Sequence, residues 1–353
     1  MTTRRDFIKQ GSILSLIGAF IKPHGLLTPS VSSPLGTLKP MGRILEQEGY
    51  FVWCCSPIDA PDGTTHIFFS RWDAKKGMAG WTHGSEIAHA VANNPEAPYN
   101  VIGTVLAPRS GFWDSSTCHN PSIHKVGNTY CLFYMGAGNS NLNTQRIGLA
   151  TASSLYGPWK RSDVPILEAG EKGAWDDECT TNPTFLQHTN GQYWLYYISF
   201  NEAEYNAAAK GTIRGNRKCG LAIANKIEGP YEKYGRNPVI DFSGMGNNQQ
   251  LEDPFVWKEK GLYKMISRDM GIYSQRDGLY MESKDGVHWS KPVKAYDELS
   301  TYLSLPKGDK NLKKYGRLER PNLLIRNGKP AYLIGATQGG QYNTSSGFVF
   351  KIS

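Results

Sequence analysis

The chain has 353 residues, a formal net charge of +8, 39% hydrophobic and 12% aromatic side chains. That apolar content excludes a disordered chain, and the surplus of basic residues forms no block or stripe of the kind that binds nucleic acid. The six cysteines make no C-x-x-C pair, which excludes the usual structural zinc sites.

Thr3-Arg4-Arg5-Asp6-Phe7-Ile8-Lys9 fits the twin-arginine export pattern. The apolar run from Ile13 to Ile21 suits a signal core and is too short to span a membrane. The expected division is a signal peptide and linker over residues 1–35 and one domain over 36–353, with maturation between Gly25 and Leu38 and a periplasmic or secreted product. The first thirty residues carry four basic and one acidic side chain, so five of the eight surplus charges stay with the domain. An anionic small substrate is therefore allowed.

From residue 36 onward the sequence repeats. Ser56-Pro57, Asn120-Pro121, Asn182-Pro183, Asp253-Pro254 and Arg320-Pro321 each open a short apolar segment, at steps of 64, 62, 71 and 67 residues. Each is followed by a turn (Asp62-Gly63, Gly127-Asn128, Asn190-Gly191, Lys260-Gly261, Asn327-Gly328) and a second apolar strand, such as Asn128 to Met135 or Gln192 to Ser199. Asp-Gly and Asn-Gly supply the positive φ that tight hairpins need. Third strands follow at Glu86 to Val91, Ile147 to Ala152, Cys219 to Ala224, Gly278 to Ser283 and Gly347 to Ile352. Fourth strands begin after Ala97-Pro98-Tyr99, Gly157-Pro158-Trp159, Gly229-Pro230-Tyr231 and Gly286-Val287-His288-Trp289. Five copies of one four-stranded unit predict an all-β, five-bladed β-propeller with four antiparallel strands per blade. The last unit stops after its third strand. A segment around Arg43 to Tyr50 is expected to complete it and close the ring, which removes an open edge.

In a propeller the innermost strands converge on the axis. The residues before the prolines are Cys54-Cys55-Ser56, Cys118-His119-Asn120, Thr180-Thr181-Asn182, Leu251-Glu252-Asp253 and Leu318-Glu319-Arg320. Burying so many polar groups is costly unless they bind something. His119, Asn120, Asn182, Glu252, Asp253, Glu319 and Arg320 are thus candidate site residues. Ser70-Arg71 and Ser267-Arg268 occupy similar places in two units, which makes Arg71 and Arg268 candidates for gripping a carboxylate or sulfate, or for bridging between blades. Cys55, Cys118 and Cys179 precede the prolines and read as small packing residues or as an inter-blade disulfide. Trp113-Asp114 and Trp175-Asp176 recur at one offset and read as a structural device, whereas Asp177 and Glu178 have Ser115 and Ser116 as counterparts and are better functional candidates.

Asn182-Pro183-Thr184-Phe185 with Gly191-x-Tyr193-Trp194-Leu195-Tyr196-Tyr197, and Gly220-Leu221-Ala222-Ile223-Ala224 with Gly229-Pro230-Tyr231, resemble the blade signatures of the five-bladed propeller glycoside hydrolases of families 43, 32, 68 and 117. The resemblance implies an exported glycosidase, exo-acting on oligosaccharides from plant or algal polysaccharides. It implies an oligosaccharide or polysaccharide partner, no required cofactor, and an axial calcium as an allowed addition. Glu252 inherits the general-acid role from Glu252-Asp253-Pro254, with Asp253 expected to raise its pKa. Ser56 and Asn182 stand where family 43 has carboxylates, so the base falls to Asp177 or Glu178, and His119 gains interest through family 117. Two alternatives stay open: a carbohydrate-binding propeller without catalysis, and a hydrolase or lyase working through His119 on uronic-acid sugars. Hydrolysis needs two carboxyl groups, about 5 Å apart for retention or roughly 6.5–9.5 Å for inversion.

Overall fold

The structure, a computed structural model, describes residues 31–207, 214–246, 248–306, 308–310 and 312–353. The twin-arginine segment and the apolar run after it lie outside the described residues. No described helix is long and apolar enough to cross a membrane.

The chain is all-β. It begins with β1 (Val31–Ser33) and β2 (Gly36–Leu45). A first unit follows: β3 (Tyr50–Asp59), β4 (Thr65–Asp73), β5 (Glu86–Ala92) and β6 (Asn100–Leu106). The second is β7 (Thr117–Val126), β8 (Thr129–Ala137), β9 (Arg146–Ala152) and β10 (Lys160–Arg161). The third is β11 (Thr181–Gln187), β12 (Tyr193–Ser199), β13 (Lys218–Ala224) and β14 (Glu232–Lys233), with a short helix α1 (Glu202–Ala207) between β12 and β13. The fourth is β15 (Leu251–Glu259), β16 (Leu262–Asp269), β17 (Gly278–Ser283) and β18 (Val293–Tyr296). The last is β19 (Glu319–Arg326), β20 (Lys329–Gly339) and β21 (Thr344–Ile352).

Units two, three and four are separate four-stranded antiparallel sheets. The first and last units share one nine-stranded sheet, joined by the parallel bridge Ser345↔Phe51. On the outer side of β21 lies β2, paired antiparallel from Leu38↔Ile352 to Leu45↔Gly347. The strand on the outer side of β21 is thus Gly36–Leu45, which overlaps the expected stretch of Arg43 to Tyr50 only at residues 43–45. The strand pair β1–β2 also places Val31–Ser33 in the sheet, inside the segment read as leader and linker.

Each unit's apolar face packs on the next. One cluster joins Phe68 and Ile87 to Leu132 and Tyr134; another joins Phe133 and Leu149 to Phe185 and Tyr197. Ile198 and Leu221 meet Met265 and Leu279, and Ile266 and Tyr296 meet Leu333 and Phe350. Val52, Ile67 and Phe69 meet Leu324, Ile334 and Val349, so the first unit also packs on the last. The six cysteines are buried free thiols, with no inter-blade disulfide.

The repeated feature is a bulge. The register between the first two strands of every unit slips at Trp53/Ser56, His119/Ser122, Thr181/Thr184, Glu252/Phe255 and Glu319/Asn322. At each slip one residue takes a left-handed backbone: Cys54, Asn120, Asn182, Asp253 and Arg320, with φ between 47° and 57°. In four units proline follows, at the point where the ladder is already interrupted and a missing N–H costs nothing. In the first unit Cys54-Cys55 holds that place, and Pro57 lies two residues beyond it. The sequence alignment on Ser56-Pro57 was therefore out of step by two. The true counterpart of Asn120, Asn182, Asp253 and Arg320 is Cys54.

The Trp-Asp repeat is structural. Asp114 accepts from Tyr134 Oη at 2.9 Å and pairs with Arg161 at 2.9 Å and Arg109 at 3.2 Å. Asp176 accepts from Tyr197 Oη at 2.9 Å and pairs with Lys233 at 2.6 Å. Gly220 is required there, since a Cβ on it would sit 2.5 Å from the Tyr197 ring.

Leu38 is fully buried on β2, in one cluster with Tyr302 and Phe350, while Lys39 beside it is exposed. Leu38→Ala is expected to cost about 2–5 kcal/mol in urea unfolding, and Lys39→Ala about 0.5 kcal/mol or less. Equal effects would show that β2 does not seal the last unit.

Candidate functional site

The bulges turn five side chains toward the same place, where they form a polar relay. Arg320 Nη1 donates to Asp253 Oδ1 at 2.7 Å, and the Arg320 backbone N–H donates to Asp253 Oδ2 at 3.1 Å. Asn182 Nδ2 donates to Asp253 Oδ1 at 3.0 Å, and Asn120 Nδ2 donates to Asn182 Oδ1 at 2.8 Å. On the other side Arg320 Nε donates to Cys54 Sγ at 3.3 Å. A carboxylate can only accept, so Asp253 fixes the direction of both amides. The last acceptor, Asn120 Oδ1, is left buried without a partner.

An axial calcium does not fit this arrangement. Calcium takes six to eight hard oxygens. Here the carboxylate of the relay, Asp253, is already bonded to the guanidinium of Arg320, which stands where a cation would have to stand.

Beside the relay is a cavity of about 300 Å³. Its walls come from the residues one step before each bulge (Trp53, His119, Thr181, Glu252 and Glu319) and from the connecting segments, which add Trp81, Gln145, Phe200, Tyr205, Arg217 and Lys314. Glu252 and Glu319 belong to neighbouring units and share one cation. Arg268 Nη1 donates to Glu252 Oε2 at 3.1 Å, and Arg268 Nη2 lies 3.2 Å from Glu319 Oε1. Glu252 Oε1 is also 3.2 Å from Arg217 Nε, and Lys314 Nζ donates to Glu319 Oε2 at 3.0 Å.

These pairs decide the charges. Burial raises the Glu252 pKa, but Arg217, Arg268 and Lys314 outweigh it and hold the carboxyl below its ordinary value. Burial likewise raises Glu319, and Arg268 and Lys314 pull it below the ordinary value. Asp253 goes the other way: burial raises it, and the Glu252 charge adds to the rise against the pull of Arg320. The expected elevation of Glu252 by Asp253 is thus reversed, because two guanidiniums face Glu252. His119 is neutral, its pKa lowered by burial and then by the charges of Arg320 and Lys314. Its Nδ1 is 2.8 Å from Ser85 Oγ, and its ring stacks on Trp81 with centroids 5.4 Å apart.

Of the residues singled out in the sequence, His119, Asn120, Asn182, Glu252, Asp253, Arg268, Glu319 and Arg320 line the cavity; Asp177, Glu178 and Arg71 do not. Asp177 accepts from the backbone N–H groups of Gly173 and Glu202, each at 2.9 Å, and so ties its loop to α1. Glu178 follows it in the same loop, its pKa raised by burial and by Glu202 and Asp177. Arg71 is taken by Glu86 at 2.8 Å, Gln47 at 3.0 Å and Thr104 at 2.9 Å. The reason is register. Glu252 pairs with Arg268, whereas the equivalent Trp53 pairs with Ser70, so Arg71 is one residue out and faces the other side of the sheet. Arg268, read as a clamp for an anionic sugar or as a bridge between blades, and the site candidate Arg320 are both occupied by protein carboxylates.

Sequence reasoning missed Trp81, Gln145, Arg217 and Lys314. They come from connecting segments that differ between units, so the repeat carried no signal for them.

The fold is that of the propeller-type glycoside hydrolases. A family 117 glycoside hydrolase, Zg3597 of the marine bacterium Zobellia galactanivorans, superposes with a TM-score of 0.63 at 17% identity, covering 90% of this chain and 91% of that one. In sequence, an uncharacterized protein of Mycobacterium tuberculosis is 25% identical over 210 residues, 56% of this chain and 66% of its own length. An extracellular endo-α-(1→5)-L-arabinanase of Thermotoga petrophila is 25% identical over 142 residues, 38% of this chain and 27% of its own length. No family model matches the chain.

Two outcomes follow. Chelators and added calcium are expected to leave the melting temperature unchanged, while Arg320→Met strands a buried carboxylate and costs about 3–5 kcal/mol, regained in part by adding Asp253→Asn. A calcium-dependent shift in the parent protein would contradict the fit argument. Glu319 has a depressed pKa, so its contribution to stability is complete above the ordinary glutamate range and lost as pH falls through the lower folded value. Glu319→Gln is therefore expected to flatten the acid limb of a melting-temperature-against-pH curve.

Proposed function

We propose that the protein is an exported glycoside hydrolase that removes sugars from the ends of oligosaccharides derived from plant or algal polysaccharides. The fold is read as a closed five-bladed propeller of four-stranded blades, with β2 completing the last; the packing of the first unit on the last supports that reading. The glycosidase neighbours support the reaction class. One observation carries the site: two carboxylates from adjacent units flank a single guanidinium in a cavity walled by tryptophans. The hydrogen-bonded relay is read as the floor of the cavity, so that a chain end is what enters.

In the free protein the surrounding cations hold both carboxyl groups below their ordinary pKa, and Arg268 links the two. A sugar ring entering the cavity beside them displaces water and favours the state in which one of the two carries a proton. Glu252 then serves as acid toward the leaving oxygen, as the resemblance implies. Glu319 takes the base or nucleophile role, in place of Asp177 or Glu178. Trp53 and Trp81 offer faces on which a sugar ring stacks. The reading without catalysis draws on the ion pairs that hold Glu252 to Arg217 and Arg268, and the test below separates it.

Reducing-sugar release from a panel of plant and algal oligosaccharides is expected for the wild type and to fall by about 10²–10⁴-fold in Glu252→Gln and in Glu319→Gln, with melting temperatures showing that both fold. Release that survives both substitutions overturns the assignment, and binding without release supports the lectin-like reading. For export, replacing Arg4 and Arg5 by lysine is expected to hold the protein in the cytoplasm on fractionation; unchanged delivery to the periplasm or medium would contradict the twin-arginine reading.

A further inference from the structure

The cations of the cavity are already engaged. Arg217 is held by Glu252, by Gln250 Oε1 at 3.0 Å and by Tyr205 Oη at 3.1 Å. Arg268 is held by Glu252 and Glu319, Arg320 by Asp253 and Cys54, and Lys314 by Glu319. An entering anion would have to break one of these pairs and leave a buried carboxylate exposed to another negative charge.

Two polar groups in the cavity wall are differently placed. Gln145 lines the cavity at only 6% exposure, and its side-chain amide has no hydrogen-bond partner among the described residues; its backbone carbonyl is the part that is used, by Thr180 N at 3.1 Å and Arg146 Nη1 at 2.7 Å. Those two bonds fix the backbone at the point where the turn Leu142–Thr144 runs into β9. His119 spends Nδ1 on Ser85, and its Nε2 has no hydrogen-bond partner among the described residues. The Gln145 amide opens onto the cavity, so a ligand that displaces the cavity's water has to supply its hydrogen bonds. An amide offers one acceptor and two donors side by side, which matches a sugar hydroxyl pair rather than a point charge.

Resting on the glycosidase reading above, we propose that Gln145 is the specificity-determining residue of the cavity, its amide exchanging hydrogen bonds with adjacent hydroxyls of an uncharged terminal sugar while His119 Nε2 meets a third polar group. Selectivity against uronic-acid sugars then comes from having no vacant cation. Placing one there reverses it: an arginine at position 145 supplies a free guanidinium, the group that recognises a carboxylate with two parallel hydrogen bonds.

The test uses 4-nitrophenyl glycosides of L-arabinofuranose, D-xylose, D-galactose and D-glucuronic acid, with binding read by saturation-transfer NMR and turnover by nitrophenol release, on the full chain and on Gln145→Leu and Gln145→Arg. The wild type is expected to take one or more neutral glycosides and not the glucuronide. Gln145→Leu is expected to raise KM about tenfold with a smaller change in kcat and an unchanged melting temperature, since the amide holds nothing in the protein. Gln145→Arg is expected to gain glucuronide binding. Preference of the wild type for the glucuronide, or neutral-glycoside binding untouched by Gln145→Leu, overturns this inference alone. Absence of binding by every glycoside overturns the glycosidase reading and this inference with it.

Discussion

Everything in the site depends on one backbone device, a left-handed residue bulged out of the innermost strand of each unit. An L-residue in that conformation carries a cost of about 1 kcal/mol, so five of them are a standing expense that packing has to offset. What the device provides is aim. It turns one side chain per unit toward the relay and leaves its predecessor to line the cavity. Asp253 and Arg320 then polarise the relay, because an acceptor-only group beside a fixed donor leaves the two asparagines one orientation each.

The cavity is heavily charged yet internally neutralised. Arg268 holds two glutamates from different units, and together with Arg217 and Lys314 it favours the ionised form of both. Glycoside hydrolysis needs one of a carboxyl pair protonated and the other not. Glu252 and Arg268 form a cross-strand pair, and Arg268 carries its contact to the next unit through Glu319.

Much of the architecture was legible in the sequence because hairpins leave strong local marks. Asn-Gly and Asp-Gly turns located the second strands, and the Gly-Leu-Ala and Gly-Pro-aromatic phrases located the third strands and the start of the fourth. What escaped had physical causes. The first unit carries a cysteine where the others carry proline, so proline spacing placed its bulge two residues late and its cross-strand arginine on the wrong face. The strand on the outer side of β21 lies at 36–45, where a Gly-Thr-Leu-Lys-Pro sequence has little alternation to betray it. Within the site, the candidates at the bulges, His119, Asn120, Asn182, Glu252, Asp253, Glu319 and Arg320, reached the cavity because the repeated bulge aims them there, whereas Arg71 did not. Asp177 and Glu178 failed for the reason that made them attractive: they are unlike their counterparts because their loop must bind α1. Gln145, Arg217 and Lys314 lie in connections of unequal length, whose paths only the assembled fold reveals.

The most direct measurement is a product time course from chain-length-defined neutral oligosaccharides of plant and algal origin, followed by chromatography and mass spectrometry. A cavity with a glutamate pair in its wall and the relay as its floor predicts single sugar units from the earliest time point. A ladder of internal fragments would contradict that floor, and intact oligosaccharides with no release at any time would contradict hydrolysis at this site.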